Sequence, residues 1–283
     1  MMESKPRDQF LGDLPVEKAR TPPAWWYMCP ERYRQERINV LASNWQMLAH
    51  GDEVAAPGDY VAGCSGGEPW VVVRDRDGTL RALSNVCRHN GTQVAQSSGN
   101  TSRLVCPYHG WTYRLDGQLA SAPKLGAVKD FHRSEYALGT MQVEEFGPLI
   151  LVNASATAEP LDLSELSRRL DGSGWNELKR VKRKTYDLAC NWKVFIDNYL
   201  DGGYHVPFIH PDLSANLNLK EYRTELFDKY SIQSVTPAEG ASKRVNTQAI
   251  YAWVYPNLMI NRYGPMMDTN VVVPTGPTTC RVI

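Results

Sequence analysis

The sequence Cys87-Arg-His89, followed after sixteen residues by Cys106-Pro-Tyr-His109, decides the fold expected for this chain. Each motif joins one cysteine to one histidine, as C-x-H and then C-x-x-H. Gly91 and Gly110 come just after the two motifs and supply the permissive backbone that tight loops need, and Pro107 stiffens the second loop. Two loops that each present a thiolate and an imidazole indicate a metal centre with sulfur and nitrogen ligands.

Two kinds of metal centre use this set of ligands. In a Rieske [2Fe-2S] cluster two thiolates bind one iron and two imidazoles bind the other. Zinc also accepts two cysteines and two histidines, but zinc fingers place the cysteine pair and the histidine pair as separate blocks before a helix. Here each motif mixes the two ligand types in β-rich sequence, so we predict a Rieske cluster held by Cys87, His89, Cys106 and His109.

The cluster motifs, extended to Cys87-Arg-His-Asn-Gly91 and Cys106-Pro-Tyr-His-Gly-Trp111, resemble those of the Rieske family. Rieske proteins of the respiratory chain carry an additional cysteine in each cluster loop, and the two form a disulfide. Neither loop has one here, so the resemblance points to the ferredoxin-like or oxygenase branch. The remaining cysteines are expected to be small buried hydrophobic residues, and they are Cys29, Cys64, Cys190 and Cys280.

A second motif, NWKVFIDNYLDGGYHVPFIH at residues 191–210, resembles the iron-binding segment of Rieske oxygenase α subunits. These oxygenases need Fe(II) held on one face by two histidines and a carboxylate. His205 and His210 are five residues apart and would not share one face of an unbroken helix. Because Pro207 should end or bend that helix, we predict that both histidines converge on one mononuclear iron.

The family pattern also bears on three carboxylates of this part of the chain, Asp197, Asp201 and Asp268. The resemblance implies that an acidic residue before the first iron histidine bridges it to a cluster histidine of a neighbouring subunit. Asp201 is the first candidate, although it lies four residues before His205, one more than in the ring-dioxygenase pattern. Asp197 is the second candidate, and a solvated carboxylate at a helix end is the alternative. Asp268 is expected to be structural, and the third iron ligand is expected beyond residue 283.

The local sequence pattern changes near residue 45. Residues 24–49 are predicted to be helical, because Ile38, Leu41 and Trp45 recur at helical intervals. From Trp45 to Asn153 the chain has short β-rich runs broken by glycine turns such as Asp77-Gly78. A helix is expected between Asn191 and Leu200, followed by strand-like runs.

The predicted fold class is α+β, with an all-β Rieske [2Fe-2S] domain followed by an antiparallel-sheet α+β catalytic domain, as the resemblance implies. We expect an N-terminal helical segment at residues 1–44, the Rieske domain at 45–153, a connection at 154–178 and the catalytic mononuclear iron domain at 179–283. Because the chain ends in the strand-like run Cys280-Arg-Val-Ile283, the catalytic domain is expected to be truncated at its C-terminus.

Composition limits the partners and the compartment. The 31 basic and 31 acidic residues cancel, which argues against binding to nucleic acid or to an anionic membrane surface. No run of eighteen or more apolar residues occurs, so no membrane-spanning helix is expected. The N-terminal residues lack the apolar stretch that a secretory signal peptide contains. We expect a cytoplasmic protein, with the plastid stroma after processing as the alternative.

The run at residues 191–208, together with Tyr255-Pro-Asn-Leu-Met-Ile-Asn-Arg-Tyr-Gly-Pro265, most resembles choline monooxygenase and related enzymes that act on quaternary ammonium compounds. The resemblance implies hydroxylation of choline to betaine aldehyde hydrate by O2, with electrons from ferredoxin or a ferredoxin-type reductase, in a homotrimer. A quaternary ammonium group favours a cage of aromatic faces, but Trp253, Tyr255 and Tyr263 are expected to be core residues.

Three alternatives remain open at this point. The chain could demethylate another quaternary amine, such as glycine betaine or a carnitine-like compound. It could be a Rieske electron carrier, although that interpretation leaves His205 and His210 unexplained. It could also be a non-catalytic fragment of an oxygenase.

Overall fold

The computed structural model describes residues 14–126, 128–242 and 247–283. Within these residues the α-helices are α1 Pro30–Glu36, α2 Ser164–Leu170, α3 Trp192–Tyr199, α4 Val206–Ile209 and α5 Pro211–Ser214. The strands are β1 Gln46–His50, β2 Asp59–Ser65, β3 Glu68–Arg74, β4 Leu80–Ser84, β5 Gly99–Asn100, β6 Leu104–Val105, β7 Thr112–Tyr113, β8 Leu119–Ser121, β9 Thr140–Phe146, β10 Leu149–Asn153, β11 Tyr186–Leu188, β12 Arg223–Leu226, β13 Tyr230–Val235, β14 Ala249–Val254, β15 Leu258–Tyr263, β16 Met266–Gly276 and β17 Thr279–Val282. Among the described residues, no helix has the length and apolar character needed to cross a bilayer.

The N-terminal helix is shorter than predicted. Helix α1 ends at Glu36, a wider π-helical turn follows at Arg37–Leu41, and strand β1 begins at residue 46. The wider turn breaks the 3.6-residue period on which the prediction rested. As a result Leu41 is buried, whereas Ile38 is 67% exposed.

The first half of the chain forms an antiparallel sheet in the order β1-β10-β9-β4-β3-β2-β5, beside a small sheet β6-β7-β8. Strand β3 is buried on both faces, because successive side chains point to opposite sides of the sheet. Val71 and Val73 pack beneath the two cluster loops, in a core that contains Cys87 and Cys106. The next residue, Val72, packs in a separate core on the other face. The cluster loops therefore lie on one face of this sheet.

The second half forms an antiparallel sheet in the order β11-β17-β16-β15-β14-β13-β12. Helix α2 and Trp175 bury their apolar side chains between the two large sheets. Trp45 and Leu149 contribute to this core from the first sheet, and Ile232 and Ile260 contribute from the second. The segment at 154–178 is thus more than a linker, and on these contacts we propose 45–153 and 179–283 as the domain boundaries.

The prediction for the cysteines outside the cluster is wrong at one position. Cys280 is buried and Cys29 and Cys190 are partly buried, but Cys64 is exposed. Cys64 lies near the end of β2, whereas strand β5 pairs with β2 only at Asp59 and Tyr60. This part of β2 therefore has a free edge that sequence periodicity does not reveal.

A buried carboxylate joins the N-terminal helix to helix α3. Glu36 is only 6% exposed. Its carboxylate accepts a 2.9 Å hydrogen bond from Trp192 Nε1 and forms an ion pair with Lys193 Nζ at 2.8 Å. Burial lowers the pKa of Lys193, and Glu36 opposes that effect. The Trp-Lys pair of the NWK motif therefore fixes helix α3 to helix α1.

We expect Glu36→Ala to lower the free energy of unfolding by about 3–5 kcal/mol, because it leaves the buried Lys193 ammonium without its counter-ion. Urea unfolding followed by circular dichroism measures the change. The matched control is Glu31→Ala, since Glu31 is exposed and pairs only with Arg34 on the same helix surface. The control should stay within about 0.5 kcal/mol of wild type. Equal stabilities for the two variants would contradict the role of Glu36.

Candidate functional site

The two cluster motifs form loops with the same backbone pattern. Gly91 N donates to Cys87 O and Gly110 N donates to Cys106 O, each at 3.0 Å. Both glycines have positive φ, 74° and 71°, a conformation that glycine adopts without a steric penalty. The strands β6 and β7 flank the second loop. The glycines therefore serve the loops as the sequence predicts.

The ligand side chains divide into a buried sulfur side and an exposed nitrogen side. Cys87 and Cys106 are 3% and 2% exposed and lie in the same hydrophobic core, and burial raises the pKa of the Cys106 thiol. The His89 and His109 rings lie 4.7 Å apart between centroids, and both residues are exposed. This arrangement suits an iron held by two sulfurs inside the domain and an iron held by two nitrogens at its surface.

The residues around the histidine pair are aromatic. Trp111 stacks on His89 with ring centroids 4.9 Å apart and planes 8° apart. Tyr108 stacks on His109 at 3.9 Å, and it is 63% exposed. These stacking contacts orient both imidazoles.

Tyr113 belongs to this site, although the sequence analysis did not identify it. Its hydroxyl lies 3.3 Å from Cys87 Sγ and accepts a 3.0 Å hydrogen bond from Arg88 N. The hydroxyl proton is therefore available to the sulfur. Burial raises the pKa of Tyr113, and Cys87 adds to the effect. The sequence did offer one indication that Tyr113 belongs to the site, because Tyr113 lies in β7, directly after the second cluster loop.

No group of three or more His, Cys, Asp or Glu side chains surrounds a single metal position in the described part of the chain. A [2Fe-2S] cluster spreads its ligands over two irons, so the first site is compatible with this finding. At the second site the described residues bring two histidines together, and the predicted carboxylate ligand has no counterpart there.

The second site begins where helix α3 ends. Asn191 caps α3, because its Oδ1 accepts a 3.0 Å hydrogen bond from Lys193 N. After the helix, Gly202 and Gly203 both have positive φ, 71° and 77°. A Cβ on Gly203 would also meet the Tyr222 ring at 2.9 Å. Glycine is therefore needed at this turn, which leads the chain from α3 to the histidines.

The structure brings His205 and His210 together, but the predicted break at Pro207 is wrong, because Pro207 lies in the first turn of α4, where a helix tolerates proline. Their ring centroids are 5.3 Å apart with planes at 77°. The short helix α4 carries Pro207 and ends at Ile209, with His210 at its C-terminal cap. The break after this short helix changes the chain direction enough to bring both imidazoles together.

Asp201 holds the first of these histidines. Its Oδ2 lies 2.6 Å from His205 Nδ1, and it also accepts a 3.2 Å hydrogen bond from His205 N. Its Oδ1 accepts from Gly203 N at 2.9 Å. A carboxylate on Nδ1 leaves Nε2 as the metal-binding nitrogen. By contrast, Asp197 accepts a 2.7 Å hydrogen bond from Tyr27 Oη, so of the two acids it is Asp201 that the structure brings to His205.

A cavity of 640 Å³ lies against both histidines. Tyrosines line much of it, namely Tyr199, Tyr222, Tyr251 and Tyr263. Of the three aromatic residues that the sequence indicated as core, Tyr263 lines this cavity, while Trp253 and Tyr255 contact each other elsewhere. Asp268 also lines the cavity, within strand β16 and not in the turn before it.

We expect Tyr113→Phe to lower the reduction potential of the cluster by about 20–60 mV. The substitution removes a hydrogen bond worth about 0.5–1.5 kcal/mol from Cys87 Sγ, and one-electron potentials change by about 59 mV per tenfold change in equilibrium constant. Redox titration followed by the cluster's EPR signal measures the shift. Tyr136→Phe is the control. It also removes a tyrosine hydroxyl near the cluster loops, but the Tyr136 ring packs on Trp111, whereas the hydroxyl beside Cys87 Sγ belongs to Tyr113. Equal potentials for both variants would contradict the hydrogen bond.

Two family models match the chain. The Rieske [2Fe-2S] domain matches residues 44–132, and the ring hydroxylating alpha subunit (catalytic domain) matches residues 175–283. The chain is 39% identical to choline monooxygenase, chloroplastic, of Arabidopsis thaliana, over 99% of this chain and 70% of that protein. It is 37% identical to the Beta vulgaris protein of the same name, over 97% of this chain and 64% of the relative. The chain thus spans about two thirds of the length of these relatives.

The solved structures agree with this result. A quaternary ammonium Rieske monooxygenase in complex with L-carnitine superposes with a TM-score of 0.83, at 28% identity, over 93% of this chain and 74% of the other. The predicted α+β class, with a Rieske domain before a catalytic domain, is confirmed. The four cluster ligands fit a Rieske centre, and the two histidines fit two of the three protein ligands of a mononuclear iron. The chain belongs to the Rieske non-haem iron oxygenases, in the group that includes the choline monooxygenases.

Proposed function

We propose that this chain is the oxygenase component of a choline monooxygenase. The observation that carries the proposal is the pair His205 and His210 at a tyrosine-lined cavity, in a chain that also holds the Rieske ligands. A non-catalytic electron carrier would have no use for that cavity. Identity is higher with the choline monooxygenases than with the carnitine-bound structure, which favours choline over carnitine-like substrates.

The reaction follows from the chemistry of the substrate. Choline, O2, two electrons and two protons give betaine aldehyde hydrate and water. One oxygen atom enters the carbon that bears the hydroxyl group, and the other leaves as water. When bound, the cluster relays electrons singly and the mononuclear iron activates O2.

The protein's own residues orient and enclose this reaction. Asp201 fixes the His205 ring through its 2.6 Å contact with Nδ1, which supports a metal-facing Nε2. Four tyrosine rings and the aliphatic residues Val206, Leu213 and Leu217 line the cavity beside polar side chains, and aromatic faces favour a substrate with a methylated cation.

We also propose a homotrimer, on the basis of exposed apolar side chains at both sites. Val105 and Tyr108 next to the cluster are 51% and 63% exposed, and Tyr204, Phe208 and Ile209 next to the iron histidines are 78%, 75% and 67% exposed. Apolar patches of this kind mark interaction sites. Two different patches that meet between copies form a head-to-tail interface, which closes into a ring.

In such a ring Asp201 would bridge two subunits. One carboxylate oxygen already contacts His205 Nδ1, and the proposed second partner is His109 of the neighbouring copy, which is exposed. The bridge would give a short electron path from cluster to iron. A ferredoxin or ferredoxin-type reductase is the proposed donor, and the chloroplastic relatives favour the plastid stroma over the cytoplasm as the compartment.

The direct test is turnover of choline with reduced ferredoxin and O2, followed by mass spectrometry of betaine aldehyde, together with iron analysis. The oxygenase should form product and contain three irons per chain, two in the cluster and one mononuclear. Two irons per chain and no product would instead indicate an electron carrier.

We expect Asp201→Asn to lower turnover by about 10–100-fold, the usual effect of losing a group that orients a metal ligand. The amide is nearly isosteric but replaces a charged hydrogen-bond acceptor by a neutral one. Single-turnover oxidation of the cluster with substrate and O2 measures the rate, while the EPR signal and trimeric mass should be unchanged. Asp197→Asn is the matched control and should keep its rate. An unchanged rate in Asp201→Asn would remove Asp201 from the electron path.

A further inference from the structure

The cavity beside the iron histidines carries negative charge. Asp212 and Asp268 line it, and none of its described lining residues is lysine or arginine. The tyrosine rings in the wall present electron-rich faces, which attract cations but do not by themselves distinguish a cation from a zwitterion. A fixed carboxylate does, because it attracts the ammonium group and repels a substrate carboxylate.

Asp268 is held in place by a chain of hydrogen bonds. Tyr263 Oη donates to its Oδ1 at 2.6 Å, and Asn261 Nδ2 donates to its Oδ2 at 2.7 Å. Tyr199 Oη in turn donates to Asn261 Oδ1 at 2.8 Å. Asn261 and Asp268 are also paired across strands β15 and β16. Every member of this chain lines the cavity.

Asp268 is exposed to solvent, but its carboxylate borders the tyrosine-lined cavity. Burial raises the pKa of Tyr251 to about 12, and the negative charge of Asp268 adds to that effect. Tyr199, on the far side of Asn261, has its pKa raised by burial first and by Asp268 among the neighbouring charges. A cation among these rings would therefore experience the same negative potential.

We propose that Asp268 is a specificity-determining residue, whose carboxylate selects a quaternary ammonium alcohol over a quaternary ammonium carboxylate. This inference rests on the proposed function, since it identifies the charge that chooses among that function's substrates. A quaternary ammonium group has no N–H to donate, so the attraction is purely electrostatic and needs no direct hydrogen bond. Choline carries only the cation, whereas carnitine and glycine betaine bring a carboxylate into the field of Asp268.

The test compares the binding of three probes by isothermal titration calorimetry. Choline is the cation, 3,3-dimethylbutan-1-ol is its neutral isostere with carbon in place of nitrogen, and L-carnitine is the zwitterion. Wild type should bind choline at least about tenfold more tightly than either of the other two, given the strength of a charge pair at a protein surface. Similar affinities for choline and the neutral isostere would overturn the proposal without any variant.

Variants then assign the effect to Asp268. Asp268→Asn should weaken choline binding about tenfold or more and leave the neutral isostere within about twofold, whereas Asp268→Glu should keep the preference for choline. Asp187→Asn is the matched control, because Asp187 pairs with Arg281 in the same sheet outside the cavity. Equal weakening of choline and its neutral isostere would mean that Asp268 acts only on the shape of the site, and would overturn the proposal.

The results separate failure of the Asp268 role from failure of the proposed function. If wild type turns over choline but Asp268→Asn binds all three probes as wild type does, the specificity role is wrong and the proposed function stands. If wild type binds none of the quaternary amines, both are wrong.

Discussion

The core between the two large sheets is the constraint on which both metal sites depend. It contains Trp45 and Leu149 from the first sheet, helix α2 and Trp175 from the connection, and Ile232 and Ile260 from the second sheet. The cluster loops rest on a different core, and helix α3 rests on yet another. The shared core thus joins the two sheets on which the separate sites are built.

Each site is stiffened in a way that suits its chemistry. The cluster loops repeat one glycine turn, and aromatic rings stack on both imidazoles. At the iron site the glycine pair at 202–203 lets Asp201 reach back to His205. Helix α3 is in turn fixed to the N-terminal helix through Glu36. Ligands whose orientation is set before the metal binds lose little conformational freedom on binding.

The tyrosine-lined cavity completes the second site. Tyrosine faces suit a methylated cation, and Asp268 supplies a charge that an aromatic wall lacks. The hydrogen-bonded chain from Tyr199 through Asn261 to Asp268 links this charge to helix α3, since Tyr199 is the last residue of that helix. The hydrogen-bonded chain that holds Asp268 is therefore anchored to the helix that leads into the His205–His210 segment.

The sequence by itself determined the family, the fold class and the cofactors, because the evidence for them is local. Cys87 and His89, or His205 and His210, are close enough along the chain for one turn to bring them together. Glycines set the turns of the cluster loops, and the single helical turn of α4 separates the two iron histidines, wherever these segments lie in the fold.

The tertiary structure alone decided which distant residues meet these motifs. Tyr113 reaches Cys87 and Asp268 faces the cavity because of strand register, and Glu36 contacts Trp192 across 156 residues of sequence. The exposure of Cys64 and the π turn after α1 were also beyond the sequence pattern. Such contacts depend on how whole elements pack, and hydrophobic periodicity fixes the buried face of an element but not its neighbour.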